Sequence, residues 1–149
     1  MTLSLDYVVF DAFSGLDGSL RSASDVEIHY LCFLGDINFK VDSLDLSTEW
    51  GWVPVLDFAV CISEIVNSLH SSSVGLFEFT ESEESISFVL QNDTVKVSAS
   101  YSEGEAVVVY GALRELVVGF ARRLISELST SYPETNTNLY FRSLEQKYS

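Results

Sequence analysis

The chain has 149 residues, of which 47% are hydrophobic and 20% charged, and its formal net charge is −14. This composition excludes an intrinsically disordered chain, because disordered segments are poor in apolar residues. The negative charge also argues against direct binding to nucleic acid or to an anionic membrane surface, since both require clustered lysine and arginine.

The same totals predict a single domain over residues 1–149. Residues 52–62 form the longest apolar run, but Pro54 and Asp57 interrupt it. It falls short of the roughly 18–20 residues that a membrane-spanning helix needs. Residues 1–6 (MTLSLD) lack the basic start of a secretory signal, so we expect a cytoplasmic protein.

The first predicted elements are three strands. Residues 7–13 (YVVFDAF) are apolar and rich in β-forming residues, and residues 25–34 and 37–41 alternate between apolar and polar side chains. Gly35-Asp36 separates the last two and predicts a two-residue hairpin turn.

The period then changes to that of a helix. Pro54 suits the first turn, Asp57 favours the positive end of the helix dipole, and apolar residues recur at intervals of three and four as far as Leu69. We therefore predict a helix between Pro54 and Leu69.

From Val74 onward the sequence alternates with a period of two. The predicted strands are residues 74–79, 86–90, 95–101 and 106–110, and Asn92-Asp93 predicts a hairpin turn. Short turns between successive strands predict an antiparallel meander with one serine-lined face open to water.

Two helices close the sequence. Residues 113–128 carry the apolar stripe of a long helix, which Pro133 prevents from continuing. The predicted anchors of a short helix over residues 139–148 are Leu139, Tyr140, Leu144 and Tyr148. Val118 and Ile125 lie off the long stripe, and we attribute them to cover by the short helix rather than to self-association. The order β-β-β-α-β-β-β-β-α-α predicts an α+β fold, with an antiparallel sheet packed against two or three helices.

No catalytic or metal-binding signature is present. The chain has neither paired histidines nor a C-x-x-C motif, and it lacks the G-x-S-x-G and G-x-x-x-x-G-K sequences. His29 and Cys32 are three apart on a predicted strand, so they are expected on opposite faces. Cys32 and Cys61 are predicted to be small buried hydrophobes in a reducing compartment. We expect no metal, no cofactor and no enzymatic activity.

The charge is divided unevenly along the chain. Residues 1–113 contain three cations and eighteen acids, whereas residues 114–149 contain five cations and four acids. The net charges are therefore −15 and +1. An acidic body of this kind favours a basic protein as the binding partner.

The candidate partner-binding residues are the acids of a predicted strand turn and of the loop before two tryptophans: Glu81, Glu83, Glu84, Asp42, Asp45 and Glu49. Acids so close together repel one another, and a cationic partner relieves that repulsion. Exposed Trp50 and Trp52 beside the loop would anchor such a partner. The alternatives are a solubilising turn that discourages aggregation, and buried tryptophans that frame the helix.

Residues 50–59 (WGWVPVLDFA), residues 79–88 (FTESEESISF) and the pattern of the closing helix resemble small acidic uncharacterised bacterial proteins, some with immunity or toxin-neutralising roles. The resemblance assigns no site residues. Together with the charge it favours a non-catalytic binding protein, monomeric or homodimeric, that neutralises a basic protein such as a toxin. The alternative is a self-associating structural domain whose acidity serves only solubility.

Overall fold

In the computed structural model, which describes residues 2–149, two antiparallel sheets and five α-helices share one hydrophobic core. The strands are β1 (Leu3–Asp11), β2 (Leu34–Val41), β3 (Leu44–Asp45), β4 (Thr48–Pro54), β5 (Val74–Glu78), β6 (Ser85–Gln91), β7 (Thr94–Ala99) and β8 (Ser102–Val109). The helices are α1 (Asp25–Tyr30), α2 (Val55–Asn67), α3 (Leu69–Ser72), α4 (Tyr110–Ser131) and α5 (Leu139–Lys147), with short 3-10 helices at Leu20–Ser22 and Pro133–Thr137. The predicted α+β class is confirmed.

The first sheet is centred on β2, which pairs with β1 along one edge and with β3 and β4 along the other. Between β3 and β4 the ladder is irregular. There the Ser47 hydroxyl accepts a hydrogen bond from the Phe39 N–H at 3.1 Å, in place of a backbone carbonyl. The β3 and β4 segments therefore form one interrupted edge, where the sequence predicts a loop.

The second sheet is the predicted meander, with strand order β5-β6-β7-β8. Asn92 takes a φ of +59° in the turn between β6 and β7, a left-handed conformation that asparagine tolerates well. The serines of β6 and β7 lie on the outer face, whereas Ile86, Phe88, Val95 and Val97 are buried.

The strand predicted over residues 25–34 is wrong, because α1 occupies most of that segment. Ser24 Oγ accepts a hydrogen bond from the Glu27 N–H, and Glu27 Oε1 accepts one from the Ser24 N–H. This capping box satisfies two backbone donors at the helix start and outweighs the apparent alternation.

The predicted turn at Gly35-Asp36 is also wrong, since both residues lie within β2. A Cβ atom on Gly35 would lie 1.8 Å from the Val8 carbonyl oxygen of the neighbouring strand. Glycine stands here because the two backbones approach too closely for any side chain.

Both long helices bridge the two sheets. Helix α2 contacts β2 and β5, while α4 contacts β1, β7 and β8, and the two helices pack against each other. No helix in the described part of the chain is long and apolar enough to cross a membrane.

Helix α5 covers α4, as the off-stripe residues predicted. Ile125 is only 2% exposed, and Phe141 and Leu144 of α5 are buried. The prediction that Leu139 anchors this helix is wrong, because its side chain is 81% exposed and Phe141 is buried instead. Asn138 caps the helix by accepting a hydrogen bond from the Phe141 N–H at 2.9 Å.

Candidate functional site

Two tryptophans stack on each other at the outer edge of the first sheet. The ring centroids of Trp50 and Trp52 are 5.3 Å apart, with 22° between the ring planes. Gly51 between them has a φ of +81°, and its N–H donates a hydrogen bond to Asp36 Oδ1 at 2.8 Å. Only glycine adopts this left-handed conformation at little cost, and Gly51 therefore determines the direction of the backbone between the two rings.

The second sheet supplies the other wall of an aromatic cleft. Trp50 meets the ring of Tyr101 edge-on, with the centroids 5.2 Å apart, and it meets Phe79 in the same way. The residues that line the cleft, of about 490 Å³, are Trp50, Trp52, Ser82, Glu84 and Tyr101. Both indoles are half-buried, so part of each ring faces solvent.

Hydrogen bonds fix the acid in the cleft. Ser100 Oγ donates to Glu84 Oε2 at 2.6 Å, and the Ser85 N–H donates to Ser100 Oγ at 2.8 Å. Burial raises the pKa of the Tyr101 phenol, and the carboxylates of Glu84 and Asp45 raise it further. Glu84 from the strand turn and Asp45 from the segment before the tryptophans therefore both raise the pKa of Tyr101.

The remaining candidate acids take different positions. Glu81 and Glu83 are exposed on either side of Ser82, which lines the cleft. Glu49 is exposed on β4, and strand alternation directs it away from the neighbouring Trp50. Asp42 lies in the turn after β2, where its Oδ1 accepts a hydrogen bond from the Thr2 N–H at 2.8 Å.

The acids around the cleft form no salt bridges among the described residues, and the cation that acts on one of them is Lys40, which pairs with Asp45 across β2 and β3 and, after the hydrogen bonds from Ser47, helps to lower the pKa of that carboxyl. Within residues 2–149, none of Asp45, Glu49, Glu81, Glu83 and Glu84 forms a salt bridge with a lysine, an arginine or a histidine. A cluster with more carboxylates than nearby cations keeps a negative potential at its surface.

Most cations of the C-terminal segment make contacts away from the cleft. Lys147 Nζ lies 2.7 Å from Glu64 Oε1, and Arg123 Nη1 lies 3.3 Å from Asp6 Oδ1. Arg122 donates to the carbonyl oxygen of Tyr148. These contacts hold the closing helix and β1 to the body, so they leave the negative potential of the cleft intact.

A second cluster of polar side chains lies away from the cleft, and the sequence pattern does not predict it. His29 Nδ1 lies 2.6 Å from Asp57 Oδ1, and Cys61 Sγ lies 3.4 Å from the same oxygen. The other ring nitrogen of His29 hydrogen-bonds the Tyr140 hydroxyl. Asp57 and Cys61 are four residues apart on α2, which places them on one helix face. That spacing was the available signal, but His29 joins the pair only through tertiary packing.

The cysteines differ in their surroundings. Cys32 is fully buried, and burial raises the pKa of its thiol to about 11. Cys61 is only half-buried, and its thiol pKa is also raised, by burial first and then by the Asp57 carboxylate. Neither thiol is therefore activated as a nucleophile by its own environment, because the thiolate is the reactive form.

Comparison of the chain with protein-family models, with curated proteins and with solved structures gave no match.

Proposed function

We propose that this chain is a non-catalytic cytoplasmic binding protein of the immunity or antitoxin type, which neutralises a basic protein such as a toxin. Its binding site is the cleft between Trp50, Trp52 and Tyr101, and a lysine or arginine side chain of the partner enters it. The observation that carries the proposal is the aromatic cleft with Glu84 held at its wall.

The chemistry of the cleft suits a cation. An ammonium or guanidinium group over an aromatic face gains about 0.5–2 kcal/mol, and more than one ring is available here. The Glu84 carboxylate supplies a hydrogen-bond acceptor of opposite charge, already oriented by Ser100. Tryptophan, tyrosine and arginine also dominate the binding energy of protein interfaces.

The surrounding charge favours the same class of partner. The chain carries a net charge of −14, and among the described residues the acids beside the cleft form no salt bridge, although Lys40 lies opposite Asp45 across β2 and β3. A basic partner is therefore drawn toward the cleft before contact, which raises the association rate at low ionic strength.

Tryptophan fluorescence provides a direct test, because both tryptophans of the chain line the cleft. We expect a synthetic arginine-rich peptide to change the emission saturably. A matched peptide with serine in place of arginine should not. The effect should weaken from about 0.01 M to about 1 M ionic strength, as the screening length falls from about 30 Å to about 3 Å.

Matched variants locate the binding. Glu84→Gln should weaken the peptide's effect, whereas Glu115→Gln, the same chemical change at an exposed position on α4, should leave it unchanged. Affinity capture from the organism's own lysate at low salt then seeks the natural partner. One basic protein encoded beside this chain's gene, released by salt and lost with Glu84→Gln, supports the proposal. Equal emission changes with both peptides, or no change with either, contradict it.

The alternative function, a self-associating structural domain, would use the outer face of the second sheet. Val74, Leu76, Val107 and Val109 are exposed there. Two copies that each carry a charge of −14 repel one another, so we rank this function second. Sedimentation at low and high salt measures the oligomeric state and distinguishes the two functions. A dimer that forms only at high salt, where the repulsion between copies is screened, favours the self-associating domain.

A further inference from the structure

His29, Asp57 and Cys61 bring three different metal-ligating atoms together away from the aromatic cleft. The imidazole nitrogen, the carboxylate oxygen and the thiol sulfur all lie within 4.8 Å of one another. Two ligands of a tetrahedral Zn²⁺ ion stand roughly 3.3–3.8 Å apart, because the bonds to the metal are about 2.0–2.3 Å long. The three donors therefore reach metal-binding distances through small side-chain rotations.

The cluster is open on one side. Asp57 and Cys61 line a cavity of about 200 Å³, together with Tyr30, Leu76 and Glu78. The cavity gives an ion access to the carboxylate and the thiol, beside which His29 lies without lining the cavity, and it leaves room for a water molecule as a fourth ligand. Three protein ligands with one open position are a common arrangement for zinc.

We propose that His29, Asp57 and Cys61 form a binding site for a divalent transition-metal ion, with Zn²⁺ as the best match to this donor set. A thiolate and an imidazole favour zinc over magnesium or calcium, which take oxygen ligands. The site is independent of the proposed partner-binding cleft, since no residue is shared between them.

Tyr140 supplies the second hydrogen bond that a metal-bound histidine commonly makes through its other ring nitrogen. When Nδ1 of His29 binds the metal, Nε2 carries the proton and its N–H donates a hydrogen bond to the Tyr140 hydroxyl, which it already contacts. Such a contact fixes both the tautomer and the ring orientation. His29 is 14% exposed and Asp57 is 6% exposed, so both donors are already held in place by packing.

The thiol chemistry also fits a metal better than a nucleophile. The thiol of Cys61 donates a hydrogen bond to Asp57 Oδ1, the same oxygen that lies 2.6 Å from Nδ1 of His29, so the carboxylate rather than the imidazole is the group in contact with the thiol. A bound metal ion stabilises the thiolate directly, and the thiol proton is released to solvent on binding.

The first experiment titrates the reduced, chelator-treated chain with Zn²⁺ in competition with a chromophoric chelator. We expect one ion per chain with a Kd of about 1 μM or tighter. Co²⁺ in place of Zn²⁺ should produce a thiolate-to-cobalt charge-transfer band and the strong ligand-field bands of a tetrahedral site. The cobalt spectrum needs no variant, so it remains decisive even where a variant fails to fold.

Variants assign the ligands, with circular dichroism to confirm that each one folds. Cys61→Ser should abolish the charge-transfer band, whereas Cys32→Ala should preserve it and leave Cys61 as the one thiol. His29→Gln should weaken Zn²⁺ binding by more than about 100-fold, while His70→Gln should leave it unchanged. Tyr140→Phe should weaken binding by about 10- to 100-fold and keep the band, as expected for an outer-shell partner.

Two outcomes overturn the proposal. The first is a cobalt complex without a thiolate band, which would indicate adventitious binding to surface carboxylates. The second is Zn²⁺ binding that is as tight in Cys61→Ser as in the unaltered chain. Glu84→Gln should leave Zn²⁺ binding intact, so failure of the metal site and failure of the partner-binding cleft are distinguishable.

Discussion

The hydroxyl of Tyr101 donates a hydrogen bond to the carbonyl oxygen of Leu46 at 2.7 Å, and this bond joins the second sheet to the edge of the first. Ser102 Oγ adds a second bond, to the carbonyl oxygen of Asp45 at 3.0 Å. The aromatic cleft lies at this junction, so its shape depends on the two sheets staying together.

Replacement of Tyr101 by phenylalanine should give a stability loss that depends on pH. Near neutral pH, Tyr101→Phe removes the bond to Leu46, and we expect a cost of about 1–2 kcal/mol in the free energy of unfolding. The folded-state pKa of Tyr101 is raised, so above about pH 10 the unfolded chain loses this proton while the folded chain keeps it. The unaltered chain therefore loses stability as pH rises through that window, by up to about 1.4 kcal/mol per pH unit.

The measurement is urea unfolding of both chains at several pH values from about 8 to about 11. The other tyrosines are common to both chains, so the difference between the two isolates position 101. The expected result is that the difference in the free energy of unfolding between the two chains becomes smaller above about pH 10. Parallel stability profiles would show that Tyr101 titrates normally in the folded protein.

Two glycine-to-alanine changes should have opposite effects. The Cβ of Gly35→Ala would lie 1.8 Å from the Val8 carbonyl oxygen, so β1 and β2 must separate. We expect a loss of about 3 kcal/mol or more. Gly119→Ala, within α4, meets no atom within 4 Å and should stabilise the chain by about 0.5–1 kcal/mol, because alanine is the better helix former. Thermal and urea unfolding compare the two; a tolerated Gly35→Ala would mean that the strands are not packed this closely.

The buried side chain of Asn138 ties the segment before α1 to the closing helix. Its Nδ2 donates to the carbonyl oxygens of Leu20 and Ala23, both at 2.8 Å, while its Oδ1 caps α5. Asn138→Ala should cost about 2–4 kcal/mol, because it removes the cap and leaves two carbonyl oxygens without this donor.

Two controls separate these contributions. Asn138→Asp keeps the cap but not the donor, so it should remain destabilising. Asn136→Ala, at an exposed position, removes one hydrogen bond from the Ser129 hydroxyl and should change stability by less than about 1 kcal/mol. Urea unfolding of the three variants measures the effect. An Asn138→Asp variant as stable as the unaltered chain would refute a role for the donor bonds.

The sequence predicted the second half of the fold well because the information there is local. Strict alternation and short polar turns define β5 to β8, and the apolar stripe and Pro133 define α4. The first half was harder, since its structure depends on contacts that the sequence does not display. The capping box at Ser24 favours a helix where the apolar pattern alternates as in a strand. Glycine is required at position 35 because the backbone of Val8, 27 positions earlier, lies against it.

The candidate sites show the same division. The acids beside Trp50 and Trp52 were visible as composition, but only the junction of the two sheets brings Glu84 and Asp45 to the same tyrosine. Likewise, Asp57 and Cys61 have the spacing of one helix face, whereas His29 comes from α1, a segment whose pattern predicted a strand. Sites formed by side chains far apart in sequence need the packing of the whole domain to be recognised.

The proposed binding surface predicts that equal charge changes will have unequal effects. Glu84→Gln, Asp45→Asn and Asp42→Asn each remove one negative charge, and each new side chain keeps an oxygen that accepts the existing hydrogen bond. Glu84 lines the cleft, and Asp45 lies close enough to raise the pKa of Tyr101. We therefore expect Glu84→Gln and Asp45→Asn each to slow association with an arginine-rich peptide by about two- to fivefold. That range corresponds to about 0.4–1 kcal/mol of lost attraction.

Asp42 lies in the turn after β2 with its carboxylate on the Thr2 N–H, so Asp42→Asn should slow association by less than about twofold. Stopped-flow tryptophan fluorescence at low ionic strength measures all three rates against the unaltered chain. If Asp42→Asn slows association as much as Glu84→Gln does, the net charge of the chain, rather than the cleft, governs binding. A larger effect at positions 84 and 45 than at position 42 places the encounter at the junction of the two sheets.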